Sequence, residues 1–237
     1  MDKLDHFALT RAPTARRPLL GLTILLVEDS RFASEAVRLM CLRSGARIRR
    51  ADSLETARKH LGIYRPTVLL VDVGLPDGSG LALIQSAAEA APRLDVILGT
   101  SGDADLRADV MQAGADGFLE KPVDSLAVFQ AAILAHIPKD QQPPGPRIVA
   151  DDTVNPDPIA FQDDLNHIVR MLDAEDAVTL DYVTQFLGGV ARSAHDDDLG
   201  QAVTNLAAIR DAGCNPDQGV AALSELVQSR IAAAGPI

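Results

Sequence analysis

From residue 23 to residue 136 the chain alternates short apolar runs with amphipathic stretches, and this restricts the fold more than any other feature. The runs occupy 23–27 (TILLV), 47–51, 67–71 (TVLLV), 95–99 (DVILG) and 117–119. The first, third and fourth are continuously apolar, as parallel strands covered on both faces should be. The second and fifth are shorter or more polar, which suits sheet edges. Helix-like segments at 31–43, 54–61, 80–90, 104–113 and 125–135 separate them, with Gly45, Gly62 and Gly114 where helices should stop. Five strands alternating with five helices predict an open, doubly wound α/β sheet. Such sheets bind ligands in a crevice at the carboxyl ends of their strands. Glu28, Asp29, Asp72, Thr100 and Lys121 each lie at or just beyond a strand end, so all five should border one crevice.

The rest of the chain is organised differently. Residues 1–21 form an N-terminal arm with charges and prolines where a leader would be apolar, and the arm reads as a disordered tail. The α/β domain spans 22–137. Residues 138–157 hold five prolines, which stop helices and favour extended backbone, so they read as a semi-rigid linker. Residues 158–237 carry apolar positions at helical spacing, in the sets Phe161/Leu165/Ile168/Leu172, Val183/Phe186/Leu187/Val190, Leu199/Val203/Leu206/Ile209 and Val220/Leu223/Val227/Ile231. They predict a small all-α region of three or four helices. Asp173 and Asn215, the latter followed by Pro216, are its expected N-caps, and Gly188–Gly189 should fray or end its second helix.

Charge separates the two halves. Residues 1–140 hold 17 Lys+Arg and 18 Asp+Glu, a net of −1, whereas residues 141–237 hold 5 and 15, a net of −10. A surface that binds nucleic acid carries a basic face, so the acidic half argues against that partner. No apolar run reaches the roughly 18–20 residues that a bilayer requires, and the expected location is cytoplasmic. Cys41 and Cys214 lie far apart without metal-type spacing and read as free thiols or small buried hydrophobes.

The crevice residues carry the chemistry. Three carboxylates converging in a partly desolvated pocket repel one another and raise one another's pKa. A hard divalent cation relieves that penalty, and an oxygen-only ligand set favours Mg²⁺ or Ca²⁺. So shielded, Asp72 could attack phosphorus, while the Thr100 hydroxyl and the Lys121 ammonium bind the remaining phosphoryl oxygens.

Each piece alone is weak; the ordered set ILLVEDS, LLVDVGLPDGSG, ILGTSG and FLEKP is far more specific, with Asp72 following Asp29 by 43 residues. Over about residues 22–137 this set resembles the receiver domain of bacterial two-component response regulators. The resemblance implies a flavodoxin-like five-stranded parallel sheet of order 2-1-3-4-5. It implies that Asp72 is phosphorylated from a histidine kinase or a histidine phosphotransfer protein. Mg²⁺ would be held by Asp29, by Glu28 through water, by Asp72 and by the backbone carbonyl of Gly74. Thr100 would be the switch hydroxyl, Lys121 the phosphoryl-binding cation, and the Lys121–Pro122 bond cis. Phe118 would be the switch aromatic that turns inward and reshapes the face formed by the fourth helix, fifth strand and fifth helix. Gly74 departs from relatives that carry a polar side chain two residues after the acceptor.

The other candidates have plainer readings. His167 and His195 lack the lysine and small residues of a phosphotransfer site and read as surface or half-buried histidines. Asp196, Asp197 and Asp198 read as a solvated cap. The expected function is a signalling switch, not an enzyme beyond intrinsic autophosphorylation and dephosphorylation. Its helical region would dimerise or bind a protein partner. A DNA-binding regulator is the alternative, although the last two helices offer only Arg210 and Arg230. A phosphatase of the haloacid dehalogenase type would need an acid where Gly74 stands.

Overall fold

The computed structural model describes residues 12–145, 152–172 and 177–233. Five parallel strands, β1 (Thr23–Val27), β2 (Arg47–Ala51), β3 (Val68–Asp72), β4 (Val96–Ser101) and β5 (Gly117–Glu120), form one sheet of order β2-β1-β3-β4-β5. The helices between and after them are α1 (Arg31–Ser44), α2 (Leu54–Ile63), α3 (Gly80–Glu89), α4 (Arg107–Gln112) and α5 (Leu126–Leu134). This is the doubly wound topology expected from the sequence, with the two polar strands at the edges. Alternate side chains of the three central strands point to opposite faces. Ile24, Leu26, Val68, Leu70, Val96 and Leu98 pack under α1 and α5 against Met40, Phe129 and Ile133. Leu25, Val27, Leu69, Val71 and Ile97 pack on the other face against Leu83, Ile84 and Val110.

Serine starts four of these helices. The hydroxyls of Ser30, Ser53, Ser79 and Ser125 accept hydrogen bonds from the first turns of α1, α2, α3 and α5, each cap contributing about 1 kcal/mol. At Gly45 the backbone turns left-handed (φ 85°) and closes α1, as expected. Gly62 does not close α2, which runs on to Ile63 and is capped at Tyr64. The segment expected as one helix over 104–113 is a 3-10 turn, Ala104–Leu106, followed by α4.

The second region consists of α6 (Pro158–Leu172), α7 (Ala177–Ala194), α8 (Asp197–Asp211) and α9 (Asp217–Ala233). Its own core includes Leu165, Ile168, Val183, Leu187, Leu199, Leu206, Leu223 and Val227. α7 passes through Gly188 and Gly189 unbroken: packing against its neighbours outweighs a helix-propensity cost of about 1 kcal/mol per glycine. Asp196 caps α8 through Leu199 N, and Asn215 Oδ1 accepts from Asp217 N at the start of α9. The expected cap at Asp173 lies outside the described residues.

Two segments read as peripheral are partly built into the core. Residues 1–11 of the arm are outside the described residues, but Leu19 is fully buried and its N–H donates to Ser44 O. Residues 146–151 of the linker are likewise outside them. Val154 is buried against the α1/α5 face, and Thr153 bridges to Ser125. Among the described residues no helix is long and apolar enough to cross a membrane.

Candidate functional site

The register of the sheet assembles the site. Val27 pairs with both Ala51 and Val71, Asp72 pairs with Thr100, and Thr100 with Leu119. The strands therefore end level, and the residues just past those ends share one mouth. Carboxylate oxygens of Glu28, Asp29 and Asp72 lie within 4.8 Å of one another. Lys121 reaches them from β5, with Nζ 2.7 Å from Glu28 Oε2 and 2.8 Å from Asp72 Oδ2. A short hairpin, Gly74–Leu75 with Gly78–Ser79, leads from β3 into α3. Glycine is required at its end, since a Cβ at Gly80 would collide with the Asp72 carbonyl. The Lys121–Pro122 bond is cis, as is Ala91–Pro92.

Burial dominates the electrostatics. Desolvation raises Glu28 to about 7, with Lys121 opposing the shift. It raises Asp29 to about 6 against the Tyr182 hydrogen bond, and Asp72 to about 6 against Lys121. Burial alone would lower the Lys121 pKa, but the Asp72 and Glu28 carboxylates outweigh it and hold the ammonium charged. Three carboxylates against one ammonium leave two negative charges when all are ionised. That deficit and the oxygen-only donor set fit a hard divalent cation. The Thr100 hydroxyl is buried and has no hydrogen-bond partner among the described residues. A buried hydroxyl without a partner costs about 1–3 kcal/mol, and a phosphoryl oxygen would satisfy it.

The sequence reading brought together Glu28, Asp29, Asp72, Thr100 and Lys121, and the structure does the same. Phe118 lies inward among Leu106, Val110 and Ala115, with the Arg107 guanidinium 4.9 Å from its ring centre. His167 is exposed and stacks edge-on to Phe186, and His195 is exposed 3.7 Å from Asp124 Oδ2. Cys41 is buried and Cys214 exposed, both as free thiols.

Several groups at the site were not foreseen, and three belong to the helical region. α6 and α7 pack on α1, and α7 also reaches the hairpin. The Tyr182 hydroxyl donates to Asp29 Oδ2 at 2.5 Å. Asp164, only 2% exposed, accepts from Ser30 Oγ at 2.7 Å, Arg31 N at 2.8 Å and Phe32 N at 3.0 Å. It is thus an anion on the positive end of α1, directly after Asp29. Gln185 lies one turn beyond Tyr182 and lines, with Glu28, Asp72 and Lys121, a cavity of about 1080 Å³ between the two regions. From the α/β side, Arg50 donates to the backbone carbonyls of Glu28 and Asp29 and fixes that loop. Asp164 had a signal in the sequence, because it falls three residues after Phe161 and four before Ile168, on the apolar stripe of its helix.

A parallel sheet of this order with an acid cluster and a lysine at its carboxyl edge places the domain among the doubly wound α/β domains that bind ligands at that edge. Residues 24–133 are a response regulator receiver domain, the family they match along that stretch. Curated relatives agree. NtrC, a DNA-binding transcriptional regulator of Proteus hauseri, is 32% identical over 51% of this chain and 26% of its own length. The KDP operon transcriptional regulatory protein KdpE of Escherichia coli K12 is 26% identical over 42% of this chain and 44% of its own length. The virulence transcriptional regulatory protein PhoP of Salmonella typhimurium is 29% identical over 42% of this chain and 45% of its own length. The chain thus spans less than half the length of these relatives. Among solved structures, the chemotaxis response regulator CheY4 of Vibrio cholerae covers 49% of this chain and 98% of its own, with a TM-score of 0.46 and 18% identity. The receiver domain of the sensor histidine kinase PA1611 of Pseudomonas aeruginosa PAO1, described with magnesium coordinated in its active site cleft, covers 48% and 96%, with a TM-score of 0.44 and 24% identity.

Proposed function

We propose that the chain is a phosphorylation-driven switch in a two-component phosphorelay, with Asp72 as phosphoacceptor and the α6–α9 region as the part that reads its state. The observation carrying this reading is the buried Glu28/Asp29/Asp72 cluster with Lys121 inside it. An Asp72 carboxylate oxygen attacks the phosphorus of a phosphohistidine on a kinase or phosphotransfer protein; the P–N bond breaks and the imidazole leaves. Mg²⁺, held by Asp29, Asp72, the Gly74 carbonyl and, through water, Glu28, would neutralise the phosphoryl oxygens. Lys121 exchanges a carboxylate for a phosphoryl oxygen, and Thr100 Oγ1 donates to another.

The Tyr182 hydroxyl occupies an Asp29 oxygen that a cation would claim. Loading the site therefore competes with the seating of α7, which links phosphorylation to the helical region through α1 and the hairpin. Phe118 is already inward, so this route does not depend on its rotation. Released helices would act by dimerising or by binding a protein in the cytoplasm, with no catalysis on an external substrate. The names of the curated relatives favour a second reading, a regulator of transcription that binds DNA. Against it stands the pairing of both arginines with acids of the same region, Arg210 with Asp181 and Arg230 with Asp196 and Asp198.

Incubation with radiolabelled acetyl phosphate and Mg²⁺ tests the reading. The protein should take up label and Asp72→Asn should take up none. Equal labelling of the two would refute it. Size-exclusion with beryllofluoride and Mg²⁺ then reports whether release of the helices changes the oligomeric state.

A further inference from the structure

Gly74 leaves the wall of the site bare two residues after Asp72, and the structure fills that space from the other region. A Cβ built on Gly74 would fall on the carboxamide nitrogen of Gln185, with Oε1 3.1 Å away. The Gly74 N–H in turn faces and stabilises the Asp72 carboxylate. The Gln185 amide therefore stands where a side chain of residue 74 would begin, beside the acceptor.

Other polar groups on this wall of the cavity are engaged elsewhere. Thr184 Oγ1 donates within its own helix to Leu180 O and Asp181 O, and Ser101 Oγ accepts from Asp103 N. Arg192 lies against the Gly102 backbone. The Gln185 carboxamide makes no hydrogen bond to another described residue, and Tyr182, one turn earlier, fixes this face of α7 on Asp29. Gln185 thus presents a free donor and a free acceptor to a cavity roomy enough for water.

We propose that Gln185 is a positioning residue for hydrolysis of the Asp72 phosphoryl group, so that the helical region sets the lifetime of the signal it reads. This rests on Asp72 being the phosphoacceptor, and it applies while α7 is still docked, so hydrolysis competes with release of the helices. Oε1 accepts a hydrogen bond from a water whose oxygen attacks phosphorus in line, while Nε2 donates to a phosphoryl oxygen. The new P–O bond forms as the P–O bond to Asp72 breaks. The carboxylate leaves, and the water proton passes to the inorganic phosphate and then to solvent. A glutamine carboxamide orients the attacking water in the same way in nucleoside triphosphate hydrolases.

The test follows decay of label after removal of acetyl phosphate from the full chain. Gln185→Ala should label to at least the level of the unsubstituted chain and lose label at least about tenfold more slowly, since a misplaced reactant can lose rate by about a hundredfold. Gly74→Asn in the Gln185→Ala background returns a carboxamide to the same space from the receiver side and should restore fast decay. A role limited to seating α7 would not be rescued that way. Independently of turnover, the side-chain NH₂ resonance of Gln185 should shift on adding beryllofluoride with Mg²⁺. Unchanged or faster decay in Gln185→Ala, failure of the rescue, or a resonance that does not move overturns the inference. Absence of label in every variant would instead refute Asp72 as acceptor.

Discussion

The receiver half is nearly neutral, with a net charge of −1 over residues 1–140, whereas residues 141–237 carry −10. Yet it is the acidic half that lies on the receiver's acidic pocket. Local chemistry explains the apparent conflict. Asp164 faces backbone N–H groups at the positive end of α1, not the carboxylates, and Tyr182 and Gln185 are neutral. Arg192 adds a cation at the rim of the cavity. Net charge describes how a region meets solvent and distant ions; its docking is decided by the few groups that touch. The receiver holds its site by strand register, and the helical half holds its place by polar anchors on one end of α1.

Asp164→Ala should break that arrangement most severely. It removes three hydrogen bonds and leaves the Arg31 and Phe32 N–H groups at a buried helix end without their acceptor. The expected loss is about 3 kcal/mol of docking free energy, allowing for relief of the burial that raises this acid's pKa. Hydrogen exchange should show the first turn of α1 losing protection while β1, β3 and β4 keep theirs. Loss of protection in those strands as well would mean the two regions share one core, contrary to the comparison.

The second expectation concerns the receiver's own burial cost. Glu28, Asp29 and Asp72 titrate at about 7, 6 and 6 when folded, above the ordinary carboxylate range near 4. Between those limits the folded protein binds more protons than the unfolded one, so stability without metal falls as pH rises through about 4 to 7. Mg²⁺ claims the same oxygens in competition with those protons. At a hundredfold excess over its Kd it contributes about 2.7 kcal/mol. Thermal melts should therefore show a larger rise in Tm with Mg²⁺ at pH 8 than at pH 5, and an equal or reversed effect would mean the cluster does not hold the ion.

The two halves also differ in how legible they were. The receiver site could be read because its strands place the motif residues at one edge by topology alone. Thr100 and Lys121 needed no knowledge of packing to be brought beside Asp72. The sheet edges, the cap at Gly45 and the four later helices were likewise written in apolar spacing. Docking of the helices was not, because it depends on which face of α7 turns toward the receiver. Gln185 sits on the side of α7 that periodicity assigns to solvent, and Tyr182 on the flank of its apolar stripe. Glycine misled twice, at Gly62 and at Gly188–Gly189, where neighbouring packing outweighed local propensity. The burial of Leu19 and Val154 had a similar cause: single apolar residues in polar segments fill gaps that only the folded domain creates.

Those misread glycines supply the smallest and most discriminating experiment. Gly62 in α2 and Gly189 in α7 both have helical neighbours, no positive φ and nothing within 4 Å of an added Cβ. Alanine fits either site without strain and reduces the freedom of the unfolded chain, so each substitution should stabilise its helix by about 0.5–1 kcal/mol. If the halves are separate cooperative units joined by polar anchors, the gains stay local. Gly62→Ala should slow exchange in the receiver core and leave α8 and α9 unchanged, and Gly189→Ala should do the reverse. A gain spread equally over both regions by either substitution would show that they open together, and α6–α9 would then be a permanent wall of the phosphoacceptor site and not a part released from it.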